Sequence, residues 1–268
     1  MKTVILCGGQ GTRLREETEY RPKPLVEVGG RPVLWHIMKT YAHYGFRDFV
    51  LCLGYRGNMI KEYFLNYEAM NNDCTICLGR KSEITYCGDS HEEQDFRVTL
   101  ADTGQETMTG GRLRRVRKYV EEAQSNGADD DLFLLTYGDG VCDVDIKDVV
   151  RFHREHGRLA TVTTVKPVSR FGILDVDAAG TVVDFKEKPQ MDGWASAGFF
   201  VLDRRVFDYL DPNDDCVFER APMERLAGSG QLVAYRHEGF FFAMDTYREY
   251  QYLNELWAGG NAPWKVWK

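Results

Sequence analysis

Near the start of the chain the run Val4-Ile5-Leu6-Cys7 stops at Gly8-Gly9-Gln10-Gly11, and Thr12, Arg13 and Leu14 follow. A short apolar run ending in glycine reads as a buried parallel strand feeding a loop whose bare backbone N–H groups can approach phosphate oxygens. Arg13, and Lys23 within Arg21-Pro22-Lys23-Pro24, add side-chain positive charge to that loop. Two better-known glycine loops are excluded. A Walker A loop closes on Gly-Lys-Ser/Thr, and the dinucleotide fingerprint needs a third glycine where Leu14 stands. A second loop of this character, Tyr137-Gly138-Asp139-Gly140, ends the strongly apolar run 132–136. Its glycines free the backbone, so the Asp139 carboxylate can project into a cleft as the hard oxygen ligand that a phosphate-bound Mg²⁺ takes.

Other groups bear chemistry in more than one way. Thr109-Gly110-Gly111-Arg112 opens a basic helix and reads either as a phosphate or nucleotide contact or as an ordinary first turn with a solvent-facing arginine. Cys74-x-x-Cys77 with Cys87 and His91 has four zinc-ligand types, but Thr75-Ile76 is strand-like, whereas a zinc knuckle needs a turn that brings both sulfurs to one side. His153 and His156, just before Gly157, read as donors capping a helix C-terminus. Asp245 reads as the N-cap of the final helix.

These residues need a scaffold. Val33, Leu34, Ile37, Met38, Tyr41 and Tyr44 fall at helical spacing between Pro32 and Gly45, 46–53 reads as a strand, and 58–67 as a helix. That order predicts an α/β fold with a parallel sheet and ligands at the carboxyl ends of its strands. Between 71 and 107 the pattern turns polar and alternating, with short strands at 75–78, 83–86 and 97–100. A basic helix runs from 108 to 122, and another helix spans 145–156. Strands follow at 159–165, 173–177, 181–187, 198–202 and 231–236, and Ala178-Ala179-Gly180 turns the second and third into an antiparallel hairpin. The last helix spans 247–257, and the tail Pro263-Trp264-Lys265-Val266-Trp267 is expected to pack on the body or on a neighbouring subunit, out of water. With no repeat, linker or low-complexity tract, residues 1–268 read as one domain.

Composition narrows the classes. Hydrophobic residues at 43% and charged residues at 28% are soluble, ordered proportions. No run approaches the roughly 20 apolar residues of a membrane span, and the first strand begins without a basic leader, so a cytoplasmic location and no membrane partner are expected. A net charge of −7 argues against a general nucleic-acid binder, so any polyanion must meet local cations. Seven cysteines, an odd number scattered from Cys7 to Cys216, suit a reducing compartment.

Taken together, Gly11-Thr12-Arg13, Pro22-Lys23-Pro24, the stretch 108–113, Tyr137-Gly138-Asp139-Gly140, Glu187-Lys188-Pro189, Met244-Asp245-Thr246 and Ala262-Pro263-Trp264-Lys265 resemble the sugar-phosphate nucleotidylyltransferases nearly end to end, and within them the glucose-1-phosphate cytidylyltransferases. The resemblance implies a Rossmann-like mixed, mostly parallel central sheet flanked by helices, of the nucleotide-diphospho-sugar transferase type, with a small antiparallel β addition. It implies transfer of a cytidylyl group from CTP to a sugar 1-phosphate, α-D-glucose 1-phosphate first, giving CDP-glucose and pyrophosphate, with Mg²⁺ as cofactor and a homo-oligomeric enzyme. By the same resemblance Asp139 and Asp245 hold Mg²⁺, Arg13 with Gly8, Gly9 and Gly11 grips the outer phosphates, and Lys23 stabilises charge at the α-phosphate. Leu6, Thr12, Thr109 and Arg112 contact nucleotide. Lys188 positions the acceptor's phosphate, and Tyr137, Gly172, Glu187, Ser196 and Phe242 border the acceptor. Arg13, Lys23, Asp139 and Lys188 form the catalytic set. The chemistry is coherent, because a phosphomonoester with a second pKa of about 6 is its own dianionic nucleophile and needs no general base. What the reaction needs is alignment of two anions and neutralisation of a departing pyrophosphate. Ser196 and Phe242-Ala243 depart from the asparagine and Gln-Pro pair of glucose-specific relatives, so another phosphate acceptor, and a nucleotide-binding regulator without turnover, stand as alternatives.

Overall fold

In the computed structural model, which describes residues 1–79, 83–87, 93, 95–125, 131–169 and 171–268, the N-terminal apolar run is strand β1 (Thr3–Cys7), buried along its whole length. A strand apolar on both faces must be covered on both faces, and the chain supplies helices to do so. In order they and the remaining strands are α1 (Arg15–Thr18), β2 (Glu27–Val28), β3 (Arg31–Pro32), α2 (Val33–His43), β4 (Asp48–Leu53), α3 (Gly57–Leu65), α4 (Tyr67–Asn71), β5 (Asp73–Ile76), β6 (Ile84–Cys87), β7 (Arg97–Asp102), α5 (Thr109–Arg115) and α6 (Arg117–Ser125). The second half adds β8 (Leu132–Tyr137), β9 (Gly140–Cys142), α7 (Ile146–His156), β10 (Ala160–Val165), β11 (Ile173–Val176), β12 (Val182–Lys186), β13 (Ala195–Asp203), α8 (Ala221–Gly228), β14 (Leu232–Arg236), β15 (Phe241–Ala243) and α9 (Tyr247–Ala258).

Among the described residues the central sheet has seven strands in the order β14-β10-β13-β8-β1-β4-β7. β1 runs parallel to β4 and β8, and β4 to β7, while β13 is antiparallel to both of its neighbours. This is the mixed, mostly parallel sheet expected. Strand alternation sends Ile5 and Cys7 into one core with α2 and α9, and Val4 and Leu6 into a second beneath α5 and α8. The short strand expected at 97–100 forms as 97–102 and pairs with β4 as the sheet's edge strand. Two expectations are corrected. The helix expected over 58–67 breaks at Asn66, and the basic helix breaks at Val116. The hairpin β11–β12 forms as expected and is exposed along its length, Leu174 and Phe185 included.

The tail packs on the chain's own body. Trp264 is fully buried, stacked on Trp257 and Phe240, and its Nε1–H donates to His36 Nδ1 at 3.3 Å. His36 Nε2–H donates in turn to the Val28 carbonyl at 2.8 Å. Both ring nitrogens are thus used by the neutral imidazole, and burial lowers the His36 pKa to about 4. The unfolded chain takes up this proton near the ordinary value of about 6.5, so His36 stabilises the fold fully above that pH and loses its contribution as pH falls toward 4. Urea unfolding at about pH 4.5 is expected to give about 2–3 kcal/mol less stability from this group than at about pH 7.5. His36→Gln, which keeps one donor and one acceptor, should flatten that part of the profile; an identical pH dependence in both proteins would assign the loss elsewhere.

Candidate active site

Asp139 and Asp245 reach one point from just outside two strands that are paired to each other. β9 and β15 form an antiparallel ribbon with Gly140 opposite Ala243, and the Met244 N–H donates to the Asp139 carbonyl at 2.9 Å. Asp139 and Asp245 are remote in the chain, and here a hydrogen bond continuing the ladder fixes them side by side. Lys23 Nζ donates to Asp139 Oδ2 at 2.6 Å and to Asp245 Oδ1 at 2.7 Å, and Arg13 Nη1 donates to Asp245 Oδ2 at 3.1 Å. Lys23 stands in a 3₁₀ turn, Lys23–Leu25, set between Pro22 and Pro24, whose fixed φ stiffens the segment. Its side chain is 10% exposed, against 73% for Arg13. Burial alone would depress the Lys23 ammonium, but contact with Asp139 and Asp245 outweighs it and raises the pKa above the lysine norm.

The reading of Asp245 as an N-cap is corrected. Thr246 caps α9, its hydroxyl accepting from the Glu249 N–H, while Glu249 Oε2 accepts from the N–H groups of Asp245 and Thr246 at 2.7 and 2.8 Å. With capping done one residue later, the Asp245 carboxylate is turned to the cations. The signal was present as Thr246-x-x-Glu249, the capping-box pattern.

Beside this centre a cavity of about 380 Å³ opens at the carboxyl ends of β1 and β8, lined by Leu6, Gly8, Gly9, Gly11, Lys23, Thr109, Arg112, Tyr137 and Asp139. Its position is that expected of a ligand site in such a sheet. Gly11 holds φ +63°, and a Cβ there would come within 2.8 Å of the Thr18 methyl. Gly9 has open space over its Cα, whereas Gly8 does not: a Cβ there would sit 2.2 Å from the Arg112 guanidinium. Gly8 therefore makes room for an arginine rather than for a phosphate. Thr12 and Arg13 are exposed on the loop.

Arg112, expected as a nucleotide contact, is buried and donates inward. Nη1 reaches the carbonyls of Leu53 and Gly104 and the Thr103 hydroxyl, at 2.7–3.0 Å, and Nη2 reaches the carbonyls of Gly8 and Gln105 at 3.1 Å. It pins the glycine loop to the ends of β4 and β7. The Gly110 and Gly111 N–H groups are likewise not presented to a phosphate, since both donate to the Cys216 carbonyl, and a Cβ on either residue would collide with 214–216. Sequence reasoning missed Glu219, whose Oε2 accepts from Thr109 Oγ1 at 2.6 Å and whose Oε1 accepts from the Tyr137 hydroxyl. No local motif marks it. Burial first, then Glu219 and Asp139, raises the Tyr137 phenol well above its ordinary pKa, so it stays a donor.

The acceptor-side residues are more dispersed. Lys188 holds φ +44°, a left-handed conformation uncommon away from glycine, and its ammonium lies 3.5 Å from Glu187. Gly172 abuts Phe185 and Glu187 Oε2 at the base of the β11–β12 hairpin. Ser196 Oγ accepts from the Gly198 N–H at 3.2 Å, and Gly198, at φ +76°, leaves space for the Tyr137 ring. Phe242 packs against Phe240 and Tyr252 rather than on the cavity wall.

The zinc-ligand types and the histidine pair also resolve into structure. Cys74 and Cys87 stand opposite Tyr86 and Asp73 in the β5–β6 hairpin, and His91 lies outside the described residues. His153 and His156 do not cap α7; both meet the Thr161 hydroxyl, at 2.9 and 2.7 Å, while Gly157 at φ +63° ends the helix. Cys142, Asp143 and His237 converge unannounced by any motif. There Asp143 Oδ1 accepts from His237 Nε2 at 2.7 Å and the Phe240 N–H at 2.8 Å, clasping the far end of the β9–β15 ribbon, and burial pushes the Cys142 thiol up to about 12.

Comparison with known proteins gives concordant results. Residues 2–225 match the family model described as nucleotidyl transferase. A glucose-1-phosphate cytidylyltransferase from Salmonella typhi is 49% identical over the whole of both chains, and a probable glucose-1-phosphate cytidylyltransferase from Bacillus subtilis is 43% identical, also over the whole of both. The crystal structure of HddC from Yersinia pseudotuberculosis shares the fold, with a TM-score of 0.67 and 23% identity across 96% of this chain and 99% of that one.

Proposed function

The chain belongs to the nucleotidyl transferase family and, by identity along its full length, to the glucose-1-phosphate cytidylyltransferases, and on that footing we propose that it transfers a cytidylyl group from CTP to α-D-glucose 1-phosphate, releasing pyrophosphate. The observation that carries the reading is the convergence of Asp139 and Asp245 on one cation, at 2.6 and 2.7 Å, in the cavity that the glycine loop lines. Two carboxylate oxygens already gathered on an ammonium are a fitting donor set for Mg²⁺, which favours hard oxygen and few protein ligands. When bound there, Mg²⁺ would neutralise triphosphate charge and polarise the phosphate under attack.

The protein's own groups do the rest. Lys23, buried and cationic, is placed to offset charge that builds at the α-phosphate as a fifth oxygen arrives. Arg13, exposed and movable, can follow the departing pyrophosphate. The acceptor phosphate attacks as its own nucleophile, with Lys188 orienting it from the left-handed turn at the end of the hairpin, so no side chain takes a proton. We assign Thr109 and Tyr137, both tied to Glu219, to the walls that hold the substrates in line.

We further propose one nucleotidyltransferase domain over 1–268, supported by the burial of Trp264 and Leu253 in the same core as Ile5. The exposed apolar residues of β11–β12 support a homo-oligomer, and seven free cysteines support a cytoplasmic setting. Among the described residues no helix is long and apolar enough to cross a membrane.

Pyrophosphate release from CTP with a panel of sugar and polyol phosphates tests the assignment. α-D-glucose 1-phosphate is expected to give a kcat/KM at least about tenfold above its epimers, because pocket hydroxyl contacts discriminate at that scale or better. Because Ser196 Oγ is already engaged by Gly198, the panel also reads whether this position recognises the sugar. No turnover with glucose 1-phosphate, beside clear turnover with another phosphate, would move the assignment to that acceptor.

A further inference from the structure

The Asp139–Asp245 pair is neutralised by the chain's own cations. Lys23 Nζ contacts both carboxylates, and Arg13 holds the second oxygen of Asp245, so these four groups together carry no net charge. A lone divalent cation therefore meets little of the attraction that a bare pair would exert. To take the place of Lys23 it must also detach an ammonium whose side chain is 10% exposed, leaving a buried charge without its anions. A triphosphate changes both terms at once. Lys23 lines the same cavity as Gly8, Gly9 and Gly11, so phosphate oxygens seated there offer it a new anionic partner.

We propose that Lys23 is a resident counter-cation that keeps the two carboxylates closed to a free divalent ion, and that the phosphates of the incoming nucleotide draw it away so that metal is admitted only in their company. The identity of that nucleotide rests on the cytidylyltransferase reading; the lock rests on the contacts of Lys23 and Arg13 with the two carboxylates. Arg13, in water for most of its length, is the weaker of the two bolts.

Binding of Mn²⁺ to the full-length, nucleotide-free protein, followed by the electron paramagnetic resonance of the free ion, tests this without turnover. Lys23→Gln removes the charge and keeps an amide donor; it is expected to bind Mn²⁺ at least about tenfold more tightly than the wild type, because a unit charge in contact with the site is lost. Arg13→Gln, at an exposed position where folding is not at stake, is expected to gain about two- to threefold. Combining Lys23→Gln with Asp139→Asn should abolish the gain and so locate the ion at the pair. Mn²⁺ affinities in both single variants no higher than in the wild type would overturn the proposal; should circular dichroism show that Lys23→Gln is unfolded, Arg13→Gln alone decides. A failure of glucose 1-phosphate as acceptor would leave these affinities untouched, so the two conclusions fall separately.

Discussion

Asp139→Asn is expected to lower kcat with CTP and glucose 1-phosphate by about a thousandfold, equivalent to roughly 4 kcal/mol of barrier at 1.36 kcal/mol per factor of ten. The substitution is nearly isosteric and keeps an oxygen that can accept from Lys23, so it removes charge and metal affinity rather than shape. Asp139 lies in the turn between β8 and β9, its carbonyl accepting from the Met244 N–H, and its carboxylate is partly exposed, so the fold has little at stake in the change. Thermal melting and far-UV circular dichroism should be close to the wild type. The rate that survives should respond to Mg²⁺ only at much higher concentration, because Asp245 is left as the single carboxylate of the pair. Pyrophosphate release measured across a Mg²⁺ series decides: a rate near that of the wild type, with the same Mg²⁺ dependence, would remove Asp139 from the metal site.

The paired carboxylates Asp139 and Asp245 and their cations illustrate what a sequence discloses and what it withholds. Val4-Ile5-Leu6-Cys7 followed by glycines could be read as a buried strand and an anion-facing loop, because apolar runs and glycine breaks are local properties. The same holds for 132–137 and the loop carrying Asp139, and for the parallel order of the early strands. Asp245 was legible as a chemical group but not as a pointing direction. An aspartate ahead of a helix is an ordinary cap until Thr246 and Glu249 are seen to have taken that task. Gly8, Gly110 and Gly111 were legible as bare backbone, yet what fills the space over each is remote in sequence: Arg112 for the first and 214–216 for the others. Steric need of that kind leaves no periodicity. Glu219 shows the limit most clearly, since a lone glutamate between two helices is indistinguishable from any solvated carboxylate until Thr109 and Tyr137 are folded against it.

Arg112 is where the structure and the family resemblance assign different work to one residue, and a pair of measurements separates them. A guanidinium carries five N–H donors in a rigid fork, and here that fork spans four carbonyls and a hydroxyl from the glycine loop, β4 and the segment after β7. Gly8 and Gly54 face it with bare Cα atoms, each too close for a Cβ. Arg112→Ala strands those buried acceptors and opens a cavity, and is expected to destabilise the protein by about 3–5 kcal/mol, lowering Tm by roughly 6–15 °C for a chain of this size. Arg112→Lys should recover less than half of that loss, because three donors on a flexible stem cannot reach carbonyls on both sides of the fork. Gly8→Ala should reproduce the phenotype from the other side by displacing the guanidinium. KM for CTP is expected to rise in all three, in step with the loss of stability, since the glycine loop proposed to grip the phosphates is no longer pinned. Were Arg112 instead only a ligand contact, Arg112→Ala would raise KM with Tm within about 2 °C of the wild type, and a thermal melt run beside a CTP titration tells the two apart.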